Sequence, residues 1–246
     1  MRGELDKAPV TAARIALGRS GPAIATRESL RFQLDHALAR DAIGTPLDVG
    51  MLERGLASMG FSSVVVRSAV RETAGRREYL LRPDLGRRLD AGSAAALEGC
   101  AGDSSERAEV VFVMADGLSA LAVERHALGL LDAVRPLVVG PVVIAREARV
   151  ALGDEIGERL RARLTVMLIG ERPGLSAADS LGVYLTWEPK VGRTDAERNC
   201  ISNVRGGGLS YAEAARRVGW YVGEARRLGV SGVAIKDPVR ALAVGD

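Results

Sequence analysis

Thiols and imidazoles are scarce: Cys100, Cys200, His36 and His126 are the only cysteines and histidines in 246 residues. A disulfide framework needs more cysteines, and a zinc-built fold needs Cys and His clustered at ligand spacing, so both are excluded. Long apolar runs are missing as well. None reaches the roughly 18 to 20 residues of a membrane span, and residues 1–30 hold no apolar signal core, which makes the cytoplasm the expected location. Lysine occurs only at Lys7, Lys190 and Lys236, so the positive charge is carried almost entirely by arginine. A net charge of +3 would admit nucleic acid, but 31 acidic residues are interleaved with 34 basic ones and aromatics make up only 4%. Without a basic stripe or stacking platforms, nucleic acid is not the expected partner. Also absent are a Gly-x-Gly-x-x-Gly turn after a strand, a phosphate loop ending in Gly-Lys-Ser/Thr, a Gly-x-Ser-x-Gly elbow and a His-Glu-x-x-His pair. The common signatures of self-contained enzymes are therefore lacking.

What is present is a sustained alternation of apolar runs and helical patterns. Residues 1–28 lack any steady period and read as an arm. From Ser29 onward Leu30, Leu34, Ala37 and Leu38 recur at spacings of three and four, with Gln33, His36 and Arg40 on another face, until Gly44-Thr45-Pro46 stops the helix. A second short helix over 47–59 and a strand over 62–67, around Val64-Val65-Val66, complete an N-terminal helical attachment over 29–70. Residues 99–106 are small and polar and read as a loop. The run Val110 to Met114 then predicts a strand, 119–134 a helix and 137–144 a second strand, all within about 35 residues, the length of a βαβ unit. A helix over 154–163 and a strand over 164–169 continue the alternation. The expected fold is α/β, with a mainly parallel Rossmann-like sheet flanked by helices over 71–246. Near the C-terminus Ser210 and Glu213 form a capping-box pattern before Tyr211, Ala214, Ala215, Val218, Val222, Ala225 and Leu228, and Gly229 ends that helix.

Open α/β sheets bind ligands beyond the carboxyl ends of their strands, so three segments there are the candidate site. Ala115-Asp116-Gly117-Leu118-Ser119-Ala120 is a tight turn into a capped helix; it is either simply a turn or a source of exposed backbone N–H groups. Gly170-Glu171-Arg172-Pro173-Gly174-Leu175 places a carboxylate on a loop stiffened by proline, suited to accepting hydrogen bonds from an amide-rich ligand, or else merely exposed to solvent. Asp195-Ala196-Glu197-Arg198-Asn199-Cys200-Ile201-Ser202-Asn203 reads as a polar binding loop. Cys200 could act as a nucleophile with Asp195 or Glu197 as its base, yet a lone cysteine is more often an inert, sheltered thiol.

The wording of these segments goes further. Phe32-Gln33-Leu34-Asp35-His36-Ala37, the 115–120 turn, Arg149-Val150-Ala151-Leu152-Gly153-Asp154-Glu155-Ile156-Gly157, the 170–175 loop and the 195–203 segment resemble, in order and approximate spacing, the small (light) subunit of ethanolamine ammonia-lyase. The resemblance runs from about residue 29 to residue 237. It implies adenosylcobalamin bound where this chain meets a large subunit in a hetero-oligomer, with conversion of ethanolamine to acetaldehyde and ammonia. The radical chemistry belongs to the cofactor. By similarity Val150, Glu171 and Cys200 fall at cobalamin-contact positions, while no catalytic residue and no metal ligand is expected on this chain. The resemblance also leaves open enclosure in a bacterial microcompartment. Two other readings remain: a self-sufficient enzyme dependent on Cys200, and a scaffold subunit that does not touch the cofactor. An Asp-x-His-x-x-Gly motif for histidine ligation of cobalt is missing. Its nearest approach, Glu124-Arg125-His126-Ala127-Leu128-Gly129, falls inside a predicted helix, where His126 is expected on the surface.

Overall fold

The computed structural model describes residues 19–20, 23–71, 75–101 and 107–236. Most of the arm expected over 1–28, and residues 237–246 of the expected α/β domain, lie outside them. Strands β1 (Arg19–Ser20) and β2 (Ala23–Ile24) form a small antiparallel ladder ahead of helices α1 (Thr26–Gly44) and α2 (Val49–Ser58). Strand β3 (Ser63–Arg67) and helices α3 (Gly75–Leu81) and α4 (Ala91–Ala101) follow. Then come β4 (Val110–Ala115), α5 (Ala120–Ala133), β5 (Val142–Arg146), α6 (Leu152–Arg159) and β6 (Leu164–Gly170). Strands β7 (Leu181–Trp187) and β8 (Arg198–Val204) lead into α7 (Tyr211–Leu228).

Six strands form one mixed sheet in the order β3-β5-β4-β6-β7-β8. The first four are mutually parallel, and β7 and β8 continue the sheet antiparallel. Every residue of β4 and β6 is buried, as expected of parallel strands covered on both faces. Strand periodicity divides β4 between two cores: Phe112 and Met114 join Leu52 and Leu56 of α2, Leu130 and Leu131 of α5 and Val218 and Val222 of α7. Val111 and Val113 face the other way, toward Leu97 of α4 and Leu152 and Ile156 of α6. The strand expected over 62–67 within a helical attachment is Ser63–Arg67, the edge strand of this sheet, and Leu47 belongs to its main core.

Several expected boundaries move for local reasons. The strand expected over 137–144 begins only at Val142, because Pro136 lies in a 3-10 turn and Gly140 is left-handed at φ 87°. The helix expected over 154–163 starts at Leu152 and ends at Arg159. Residues 195–203, expected as a loop, are mostly β8, whose polar composition reflects an edge strand buried at Arg198, Asn199, Ile201 and Val204 but not between. On α7 the Ser210 hydroxyl caps the Glu213 N–H at 3.3 Å, as expected, and Gly229 closes the helix at φ 67°. The Glu213 carboxylate does not complete the capping box; it pairs with Arg216 and Arg217.

Candidate functional site

The carboxyl ends of β4 and β5 meet at one carboxylate. Asp116, which follows β4, is buried; its Oδ1 accepts from the Ala148 N–H at 3.0 Å, and its Oδ2 from the Glu147 N–H and Arg76 Nη1, both at 2.9 Å. Burial raises the Asp116 pKa, and the nearby Arg76 guanidinium and the backbone N–H donors oppose that rise. The loop after β5 is thereby fixed against β4 although it contains a left-handed residue, Glu147, at φ 54°. Tyr79 of α3 adds a second tie, its hydroxyl donating to the Ala148 carbonyl at 2.8 Å. Two glycines let the β4 and β6 loops meet: a Cβ on Gly117, whose φ is 54°, would lie 2.2 Å from the Gly170 carbonyl oxygen, and one on Gly170 would lie 2.0 Å from that of Ser119. The contact so allowed is the Leu118 N–H donating to Gly170 O at 2.9 Å.

These loops surround a cleft of about 410 Å³ whose lining includes Tyr79, Leu118, Arg149, Val150, Glu171, Arg172 and Tyr184. Val150 sits at the entry to α6, where its carbonyl accepts from the Gly153 N–H at 3.0 Å. Glu171 leaves the end of β6 and its backbone N–H donates to Ser180 O at 2.9 Å. One carboxylate oxygen is committed: Oε2 accepts from Ser180 Oγ at 2.5 Å and from the Asn203 N–H at 3.2 Å. Oε1 has no hydrogen-bond partner among the described residues, so the carboxylate is held by one oxygen and offers the other. The 171–180 loop is tied down further by Ser119 Oγ, which donates to Ala178 O at 2.8 Å.

Cys200 is not in the cleft lining. It stands on β8 directly across from Tyr184 of β7, which is. The residue is exposed as a whole, but its sulfur shelters beside Tyr184 and lies 3.3 Å from Ser202 Oγ. Burial of the sulfur pushes the thiol pKa up, and the hydrogen bonds to Ser202 and Tyr184 do not reverse this. A thiolate nucleophile is thus disfavoured. The proposed bases are committed elsewhere: Asp195 pairs with Arg198 at 2.9 Å, and the Glu197 carboxylate accepts from the Thr194 N–H at 2.7 Å and pairs with Arg193. Arg198 is buried and holds a second carboxylate, that of Asp154 on α6, whose pKa burial raises to about 6 despite the arginine.

His126 corrects an expectation, being buried rather than on the helix surface. Its Nδ1 lies 2.7 Å from the Tyr211 hydroxyl and its Nε2 3.2 Å from Asp179 Oδ2. With both nitrogens engaged, it is not poised to bind a metal. No group of three or more metal-ligating side chains occurs among the described residues, nor any helix long and apolar enough to cross a membrane. Tyr79, Arg149 and Tyr184 complete the cleft, and the sequence alone points to no role for them. Arg149 was visible only as part of a resembling segment, and the two tyrosines carried no local signal.

Comparison with known proteins places the chain firmly. The family model described as ethanolamine ammonia-lyase light chain (EutC) matches residues 5–236. The ethanolamine ammonia-lyase small subunit of Bradyrhizobium diazoefficiens is 51% identical over 243 residues, covering 96% of this chain and 91% of the relative. Small subunits from Xanthomonas campestris pv. campestris and Azotobacter vinelandii are each 50% identical over 234 residues, covering 93% of this chain and 85% and 86% of those relatives.

Proposed function

Because the chain belongs to the ethanolamine ammonia-lyase light-chain family, we propose that it forms one wall of an adenosylcobalamin site completed by the enzyme's large subunit. The observation that carries this reading is Glu171, with Oε2 fixed by Ser180 and Asn203 and Oε1 open beside Val150 and Tyr184. The donor set fits a corrin. Its rim carries amide groups whose N–H donors suit a carboxylate oxygen, and its flat apolar faces suit a valine and a tyrosine ring. Val150 and Glu171 would hold the cofactor directly, and Cys200 would meet its edge beside Tyr184. When bound, the cofactor supplies the radical chemistry that turns ethanolamine into acetaldehyde and ammonia.

This chain's own share is to bind and orient. Asp116 fixes the loop that presents Val150, and Ser180 fixes the carboxylate of Glu171, so little side-chain freedom is lost on binding. In this reading the strand ends of a Rossmann-like sheet carry the cofactor wall, with β3 at the sheet's edge and α2 packed on its core. Substrate handling falls to the large subunit, and the complex works in the cytoplasm, inside or outside a microcompartment.

Co-expression with the large subunit, followed by an ethanolamine assay with and without adenosylcobalamin, tests the division of labour. Ammonia release is expected only from the complex supplied with cofactor. Robust turnover by the isolated chain would overturn the proposal.

A further inference from the structure

We propose that Arg149, assisted by Arg172 at the rim, binds the phosphodiester of the cofactor's nucleotide tail; this rests on the cobalamin reading of the cleft. Several buried and half-buried arginines elsewhere in this fold are matched with carboxylates: Arg67 with Glu147, Arg76 with Asp116, Arg159 with Glu155 and Arg198 with Asp154. Arg149 and Arg172 line the cleft, and neither has a carboxylate within ion-pair distance among the described residues.

Arg149 is held by other means. Its guanidinium carbon lies 4.3 Å from the centre of the Tyr79 ring, its Nη2 donates to Tyr79 O at 3.4 Å, and its Nε is buried with no acceptor. Tyr79 is itself fixed by its bond to Ala148 O. The result is a guanidinium fixed in place by stacking and without a carboxylate partner, whose charge an anion at the cleft would balance.

Cobalamin carries one anionic group, the phosphodiester that joins its nucleotide to the corrin, whereas the side-chain amides on the rim are neutral. Glu171 in the same cleft would repel a phosphate, which assigns Glu171 to the amides and leaves the phosphodiester to the arginines. The competing occupant is a carboxylate of the large subunit, and the test separates the two.

The complex of this chain with its large subunit is titrated, by equilibrium dialysis, with cobalamin and with cobinamide, which keeps the corrin but lacks the nucleotide and its phosphodiester. Arg149→Gln is expected to weaken cobalamin about tenfold or more and to leave cobinamide unchanged. Arg149→Lys should retain part of the loss, and Arg172→Gln, at an exposed position that folding tolerates, should show a smaller loss with the same selectivity. Equal weakening of both corrinoids, or dissociation of the subunits on gel filtration, would assign the guanidinium to the rim or the partner and overturn the proposal. A wild-type complex that binds neither corrinoid would instead show that the cobalamin reading of the cleft has failed, and the proposal with it.

Discussion

Replacing Arg198 with methionine is expected to lower the unfolding free energy by about 3–5 kcal/mol at neutral pH. The side chains of Arg198 and Asp154 are each only 2% exposed, so removing the cation strands a buried carboxylate. The pair joins the first turn of α6, just beyond Val150, to the start of β8, which carries Cys200, so it braces two sides of the candidate site. The pH dependence gives the mechanism away. Burial already raises Asp154 to about 6 in the native state, above its unfolded value. Between those two values the native state binds more protons than the unfolded one, so this group's contribution to stability falls as pH rises from about 4 to about 6. Without Arg198 the pKa should rise further, and the destabilisation should be smaller at pH 5 than at pH 8. Adding Asp154→Leu should recover much of the loss, since an apolar pair leaves no charge to desolvate. Denaturant melts at both pH values check this; a loss under about 1 kcal/mol, or one independent of pH, would refute it.

Glu171→Ala is expected to weaken cofactor binding in the assembled complex by about 1–3 kcal/mol, roughly 5- to 150-fold, because cofactor donors would be left buried without an acceptor. Glu171→Gln keeps one acceptor oxygen and should lose less. Folding should suffer little, since the bonds lost inside the chain are those from Ser180 Oγ and the Asn203 N–H. Equilibrium dialysis against cobalamin, with a melting curve alongside, decides the matter. Unchanged affinity together with a sharply lower melting temperature would make Glu171 a structural residue.

The parts of this architecture legible in the sequence are those governed by local periodicity. The strand-turn-helix from Val110 through Ser119 and the capped helix ending at Gly229 depend on neighbours within a few residues, and both form where expected. Strand β7 is not legible in the sequence because Leu181-Gly182-Val183-Tyr184 mixes glycine and tyrosine into an apolar run that neither period claims. Strand β8 reads as a loop in the sequence because an edge strand needs only a few inward residues. At the site, a carboxylate on the loop after β6 was visible, but its orientation was not. That depends on Ser180 and on Asn203, the latter 32 residues away in the chain. Likewise His126 looks like a surface residue until Asp179 and Tyr211, 53 and 85 residues distant, close over it.

We propose that this chain contributes a wall of the cobalamin site which the large subunit lacks, and equilibrium dialysis of cobalamin against the large subunit alone, this chain alone and the two together tests it. Tight binding only when both are present is the expected result. A large subunit that binds cobalamin as tightly alone as in the complex would contradict it.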